Sequence, residues 1–176
     1  MDRILSARSR PSARRAAHDA LVHLAERWLR RRGFGVTASE LHAAGCREQM
    51  DAIGYRTNAT AIVECKTSRA DFRADFRKPE RQSGGLGVYR FYLCSEGMIA
   101  PEDLPPRWGL LWARGARVIE VKVPTGNNWP GFDPAYPYGD WAAFMHEPDY
   151  EAERIMLFSI ARRLAAGQRT QRTQCG

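Results

Sequence analysis

Three charged residues stand out by type and spacing. Asp51 opens a short apolar run, Met50 to Tyr55, and Glu64 and Lys66 close a second, Ala61 to Lys66. A polar turn at Thr57 to Thr60 lies between them, so the stretch is expected to form two hairpin-joined strands at about 50–56 and 60–66. Strand side chains alternate faces, which puts Ile62, Glu64 and Lys66 on one side and Ala61, Val63 and Cys65 on the other. Charges on largely buried strands are costly unless they are paired or bind an ion. Two carboxylates on adjacent strands suit a hard divalent cation, and magnesium takes one or two of them while keeping water and accepting a phosphate oxygen. Such an ion polarises a phosphate and lowers the pKa of bound water. A nearby lysine orients that water and stabilises the charge of the transition state. On this reading Asp51 and Glu64 bind the metal, the Cys65 carbonyl adds a ligand, and Lys66 positions the attacking hydroxide.

The elements that must position these residues follow from periodicity and punctuation. A helix is expected from Ser12, a plausible N-cap, to Arg32, with Ala17, Leu21, Leu24 and Trp28 at helical spacing and Gly33 as its stop. His18, Asp19, His23 and Glu26 are polar positions on it, expected to face solvent, with Glu26 set to pair with Arg30. A first, edge-like strand spans Phe34 to Leu41, with Glu40 near its end, and a loop holds Glu48. Ser68 and Asp71 form a capping box for a helix running to about Lys78, where Pro79 stops it. Capping accounts for Asp71 better than chemistry does. Phe72 and Phe76 form the buried edge of that helix, and Arg69, Arg73 and Arg77 a basic stripe with Asp75 nearby. The stripe is either a solvated face or, with Lys78, a phosphate-contacting one. Gly84, Gly85 and Gly87 lack the ending of a phosphate loop and read as a mobile loop over the site. Strands are expected at 88–94, 108–114 and 118–123, an aromatic turn-rich stretch at 124–138, and a final helix from about Pro148 to Ala166. That helix packs either on the domain or on a second subunit, which would make a homodimer. Helix, three strands, helix and further strands predict an α/β fold with a mixed sheet flanked by helices.

Composition bounds the rest. The chain has 176 residues and a net charge of +7, and its base is almost all arginine, with lysine only at Lys66, Lys78 and Lys122. Arginine suits phosphate, and the balance predicts attraction to a polyanion. No lysine or arginine falls between Pro124 and Glu153, where the acids read as a solvated face. Four cysteines without CxxC spacing are expected to be reduced thiols in a cytoplasmic protein. His42 and Cys46, four apart, are too few for a zinc site. No apolar run reaches membrane-spanning length, so no membrane partner is expected. The organisation expected is a disordered basic arm at 1–12, a domain at 13–123, an extension with its helix at 124–167, and a flexible tail.

Asp51, Glu64-Cys65-Lys66 at the end of an apolar strand, and a helix opening Ser68-Arg69-Ala70-Asp71-Phe72 resemble the PD-(D/E)XK superfamily, the restriction-endonuclease-like nucleases. Within it the pattern is similar to a group of small bacterial and phage-associated proteins. The matching stretches are Trp28 to Arg32, Asp51 to Gly54, Glu64 to Lys66, Ser68 to Phe72 and Tyr89 to Cys94, over roughly Ala17 to Val123. The resemblance implies an αβββαβ core, a magnesium or manganese requirement, and hydrolysis of DNA phosphodiesters in repair, restriction or mobile-element biology. Met50 stands where the written motif has proline. A further carboxylate is often added in the superfamily. Glu40 is preferred for that role, with Glu48 and Glu26 as competitors, and Gln82 and Tyr89 as weaker substrate contacts.

Other readings fit the same residues. The triad is accounted for structurally by a surface hairpin whose Glu64 pairs with Lys66 or Asp51. A non-catalytic nucleic-acid-binding module would keep the scaffold and the arginines. An interaction subunit would use Tyr136 to Trp141 and the last helix.

Overall fold

The computed structural model describes residues 12–41, 48–78, 85–135 and 139–173. The expected basic arm before residue 12, the His42–Cys46 pair, Gln82, Gly84, Tyr136 and the last three residues lie outside the described residues.

Helix α1 (Ala13–Arg31) begins where the Ser12 hydroxyl accepts the Arg15 N–H at 3.3 Å. It ends at Gly33, whose φ of 84° lets the Gly33 N–H reach Arg30 C=O and the Phe34 N–H reach Leu29 C=O, at 3.0 and 3.1 Å. The predicted stripe is buried from Leu21 onward, where Leu21, Leu24, Ala25, Trp28 and Leu29 face the sheet, while Ala17, one turn earlier, is exposed.

The sheet has six strands whose spatial order is their chain order: β1 (Val36–Ser39), β2 (Ala52–Tyr55), β3 (Thr60–Lys66), β4 (Tyr89–Ser95), β5 (Trp108–Arg114) and β6 (Arg117–Lys122). Pairing is antiparallel from β1 to β3, parallel from β3 to β5, and antiparallel again at β5–β6. Helix α2 (Arg69–Asp75) lies in the crossover from β3 to β4, which a parallel pair requires. The fold is therefore α/β, a mixed sheet flanked by helices, as expected. Each face of β3 meets its own core. Ala61, Val63 and Cys65 pack towards α1, whereas Ile62 packs with Phe72, Tyr92 and Met156. Burial on both faces explains why β3 and β4 are largely apolar on both sides, apart from the buried Glu64, Lys66 and Arg90.

Several boundaries differ from expectation, each with a local cause. Helix α2 stops at Asp75 rather than Lys78. The chain tightens there into a three-residue turn, Arg77 N–H to Ala74 C=O at 3.3 Å, while the Phe76 ring stays edge-on to Phe72 at 4.7 Å. Arg77 therefore lies beyond the helix and does not continue a stripe with Arg69 and Arg73. The first strand is shorter than 34–41 because Phe34 is a core residue against Trp129, with ring centroids 5.0 Å apart.

The turn-rich stretch after β6 supplies the centre of an aromatic cluster. Trp129 is fully buried among Trp28, Phe34, Tyr89, Phe91 and Trp141. Its φ of 50° is unfavourable for a bulky residue, and the five surrounding rings hold it there. Tyr89 belongs to this cluster and donates to Pro130 C=O at 2.7 Å, so it is a core residue and not a substrate contact.

Helix α3 (Tyr150–Thr173) packs on the domain. Ala152, Met156 and Ile160 enter the second core, while Leu157, Phe158 and Leu164 are exposed. Glu153 pins it: one carboxylate oxygen accepts both the Thr60 hydroxyl and the Gly87 N–H. The described end of the expected mobile loop, Gly85 to Gly87, is likewise held. The Gly85 carbonyl accepts the Asp149 N–H at 3.1 Å, and Leu86 is buried. Among the described residues no helix is long and apolar enough to cross a membrane.

Candidate active site

The site forms because β2 is shorter than β3. The last pair between them is Ala52 with Val63, and the same register carried one step further sets Asp51 opposite Glu64. Residues 64–66 of β3 thus run past their neighbour, and Cys65 presents a backbone edge with no strand beside it. Asp51 fills the gap: its Oδ2 accepts the Cys65 N–H at 2.7 Å. The N–H and C=O of one strand residue lie on the same edge, so the Cys65 carbonyl opens onto this gap too.

The other Asp51 oxygen lies 3.1 Å from His18 Nε2. His18 Nδ1 lies 3.9 Å from both Asp19 and Glu40, and the ligand atoms of these three residues all fall within 4.8 Å of one another. The Glu40 N–H donates to the Asp51 carbonyl at 3.1 Å. An open cleft runs here between α1 and the start of α2, lined by Arg14, Arg15, His18, Asp19, Glu40, Thr67 and Asp71. His18 is half-buried at Asp51 rather than facing solvent. Its signal in the sequence was position, since it lies on the stripe of Leu21, Ala25 and Trp28 one turn earlier.

Glu64 and Lys66 lie on the opposite face of β3, only 2% and 4% exposed. Lys66 Nζ is 3.1 Å from Glu64 Oε2, 3.1 Å from Asp75 Oδ1, and 5.7 Å from the centre of the Tyr92 ring. Asp75, the last residue of α2, is also buried; its Oδ2 accepts the Tyr92 hydroxyl at 2.9 Å, and Lys78 Nζ lies 2.8 Å from its Oδ1. Two expectations change. Asp75 is not part of a solvated face, and the Glu64–Lys66 pair belongs to the interior instead of a surface hairpin. Asp75 was legible on one count, because Phe72, Asp75 and Phe76 stand at i, i+3, i+4 on the buried edge of α2.

Electrostatics follow from burial and neighbours. Burial works to lower the Lys66 pKa, but Glu64, Asp75 and Asp51 outweigh it and hold it above the ordinary lysine value. Lys66 is thus a permanent cation near neutral pH and no general base. Burial, with Asp51 and Glu64 adding to it, pushes the Cys65 thiol well above its usual pKa, so Cys65 offers backbone and no thiolate.

The remaining candidates divide. Glu26 pairs with Arg30 at 3.2 Å, as expected. Glu48 is buried, with its carboxylate accepting the Leu86 N–H, so it braces the entry to β4 rather than flanking Asp51. Arg69 is held by Met98 C=O at 2.9 Å and Asp103 at 3.0 Å, and Lys78 by Asp75, while Arg73 and Arg77 are exposed. For a divalent cation, the Asp51 carboxylate and the Cys65 carbonyl are hard oxygens at one gap. Glu40 stands beside them, so these oxygens fit such an ion, whereas the Glu64 carboxylate is turned to Lys66 on the other face of β3 and would have to swing away from it to join the set.

No family model and no curated protein matches the chain. The solved SPO1766 protein of unknown function from Silicibacter pomeroyi is similar to it, with a TM-score of 0.57 and 24% identity, over 88% of this chain and 93% of that one. This likeness is one of fold.

Proposed function

We propose that the chain is a metal-dependent deoxyribonuclease of the PD-(D/E)XK type, hydrolysing DNA phosphodiesters. The observation that carries the reading is the Asp51–Cys65 hydrogen bond. It fixes an acid at the open edge of β3, between the residues of a Glu64-x-Lys66 strand end. The element order α1, three antiparallel strands, α2 and a parallel β4 is compatible with a restriction-endonuclease-like core and supports it.

Asp51, Glu64, the Cys65 carbonyl and Glu40 are the groups that would hold magnesium or manganese, which would supply a polarised phosphate and an acidified water. Lys66, charged and fixed, contributes electrostatic stabilisation of the reacting phosphate. Arg73 and Arg77, exposed just past β3, and Arg14 and Arg15 at the cleft mouth are the groups that would meet flanking phosphates.

The test is a panel of single-stranded, duplex, flapped and branched DNA with magnesium, manganese and other divalent ions. Cleavage that EDTA abolishes, and that Asp51→Asn and Lys66→Ala reduce by at least about a hundredfold, is expected. Full activity in Lys66→Ala would sink the mechanism.

The burial of Glu64 and Lys66 favours one rival, a DNA-binding module without cleavage. It predicts binding that weakens steeply with salt, and intact DNA under every metal.

A further inference from the structure

Among the described residues Lys66 pairs with two carboxylates, Glu64 and Asp75, and only Glu64 belongs to the proposed ligand set. Glu64 would be drawn towards a cation. Asp75 sits on the far side of the ammonium, 3.1 Å from Nζ, at the C-terminal end of α2. It is itself held, since its second oxygen accepts the Tyr92 hydroxyl at 2.9 Å, and Tyr92 is the β4 residue paired with Glu64. The ring of Tyr92 also faces the ammonium at 5.7 Å. A lysine stem is flexible and its ammonium carries no fixed geometry of its own, so a buried lysine lies where its partners hold it. Among the described residues, Asp75 is a buried carboxylate beside Nζ that stands outside the proposed ligand set.

From this geometry we infer that Asp75 is a positioning residue for Lys66: anchored by Tyr92, it holds the ammonium at the end of β3 when Glu64 turns away. The inference rests on the nuclease reading for its catalytic meaning, but the hold itself is a property of the folded chain. Asp75 touches no substrate, so its loss is expected to act on turnover and to leave DNA binding alone. Lys78, exposed and three residues along, shares the same oxygen and balances the second buried charge.

The chain has three lysines, Lys66, Lys78 and Lys122, so the hold is directly measurable. Full-length protein is acylated with an amine-reactive acetyl ester, and the rate at each lysine is read by mass spectrometry. In the wild type Lys66 is expected to react far more slowly than Lys122. Asp75→Asn keeps the side-chain shape and removes the charge. It is expected to raise the Lys66 rate several-fold with Lys122 unchanged, and to lower kcat about 10- to 100-fold at constant KM. Tyr92→Phe, which removes only the hydroxyl, is expected to move both readouts the same way by less, and it serves should Asp75→Asn fail to fold. Wild-type Lys66 reactivity in both variants would overturn the inference, as would faster labelling with kcat unchanged. If the wild type cleaves no DNA with any metal, the nuclease reading falls, and the labelling rates alone decide whether Asp75 holds Lys66.

Discussion

At the residue scale, Lys66 carries structure, and in the proposed reading it carries chemistry as well. It lies between Glu64 and Asp75, both buried, and removing it takes a buried cation from both, with Lys78 still 2.8 Å from Asp75. Breaking a buried pair by deleting one partner costs about 3–5 kcal/mol, a large share of the 5–15 kcal/mol that holds a typical domain together. Lys66→Ala is therefore expected to lower the urea midpoint markedly with the slope unchanged. Its activity loss should be read only where circular dichroism shows a folded protein. Asp51→Asn is the milder probe. Asp51 is partly accessible, and an amide oxygen still accepts the Cys65 N–H. It should remove most metal-dependent cleavage while leaving the midpoint near the wild type, which makes it the cleaner test of the site.

At the element scale, the sheet is what brings the site together, and its packing tolerates little. Gly109 on β5 pairs with Phe91 on β4. A Cβ there would lie against the Phe91 ring and 2.7 Å from the Lys122 carbonyl oxygen. Neither can yield cheaply, because Phe91 is fully buried and the carbonyl is backbone. Gly109→Ala is expected to destabilise by about 1–3 kcal/mol, the usual cost of overpacking, read as a lowered denaturant midpoint. Helix α2 acts at the same scale. It is only seven residues long, and it is fixed by the Ser68 cap at one end and by Phe72 and Phe76 at the other. That brevity delivers Asp75 to Lys66, and it also drops Arg77 off the helix. A phosphate contact by Arg77 thus belongs to the turn after α2, independent of Arg69, which is already bonded to Asp103.

At the scale of the whole molecule, the C-terminal third closes the fold rather than hanging from it. Trp129 and Trp141 fill the core above α1, while α3 seals the other face through Met156 and Ile160. His146 lies in this closure, edge-on to Trp108 and donating from Nε2 to Arg107 C=O at 3.2 Å. Burial, with Arg90 adding to it, brings its pKa from 6.5 down to about 3. The folded state therefore keeps it neutral while the unfolded chain takes up a proton below about 6.5. Stability from this group is complete above that pH and is lost as pH falls towards 3. Linkage gives a loss of about 1–2 kcal/mol between pH 8 and pH 5, discounted for the part of the ring that water reaches. Urea midpoints at the two pH values should show it, and His146→Gln should flatten the difference.

The sequence by itself determined the elements around the site and the alternation of β3, because periodicity, caps and turn residues act over a few neighbours. Ser12, Gly33 and Ser68 mark their helix ends from the chain alone, and Asp51 and Glu64-x-Lys66 are legible as charges on apolar strands. Partners are different, since they are chosen by register and by which helix crosses which strand. Only the tertiary structure joined His18 to Asp51 across 33 positions, set Trp129 against Trp28, and turned Asp75 from a surface acid into the second partner of Lys66. The physical reason is burial. A short apolar stripe shows which side of a helix is covered, but the identity of what covers it is fixed when the crossover lays α2 over β3 and β4.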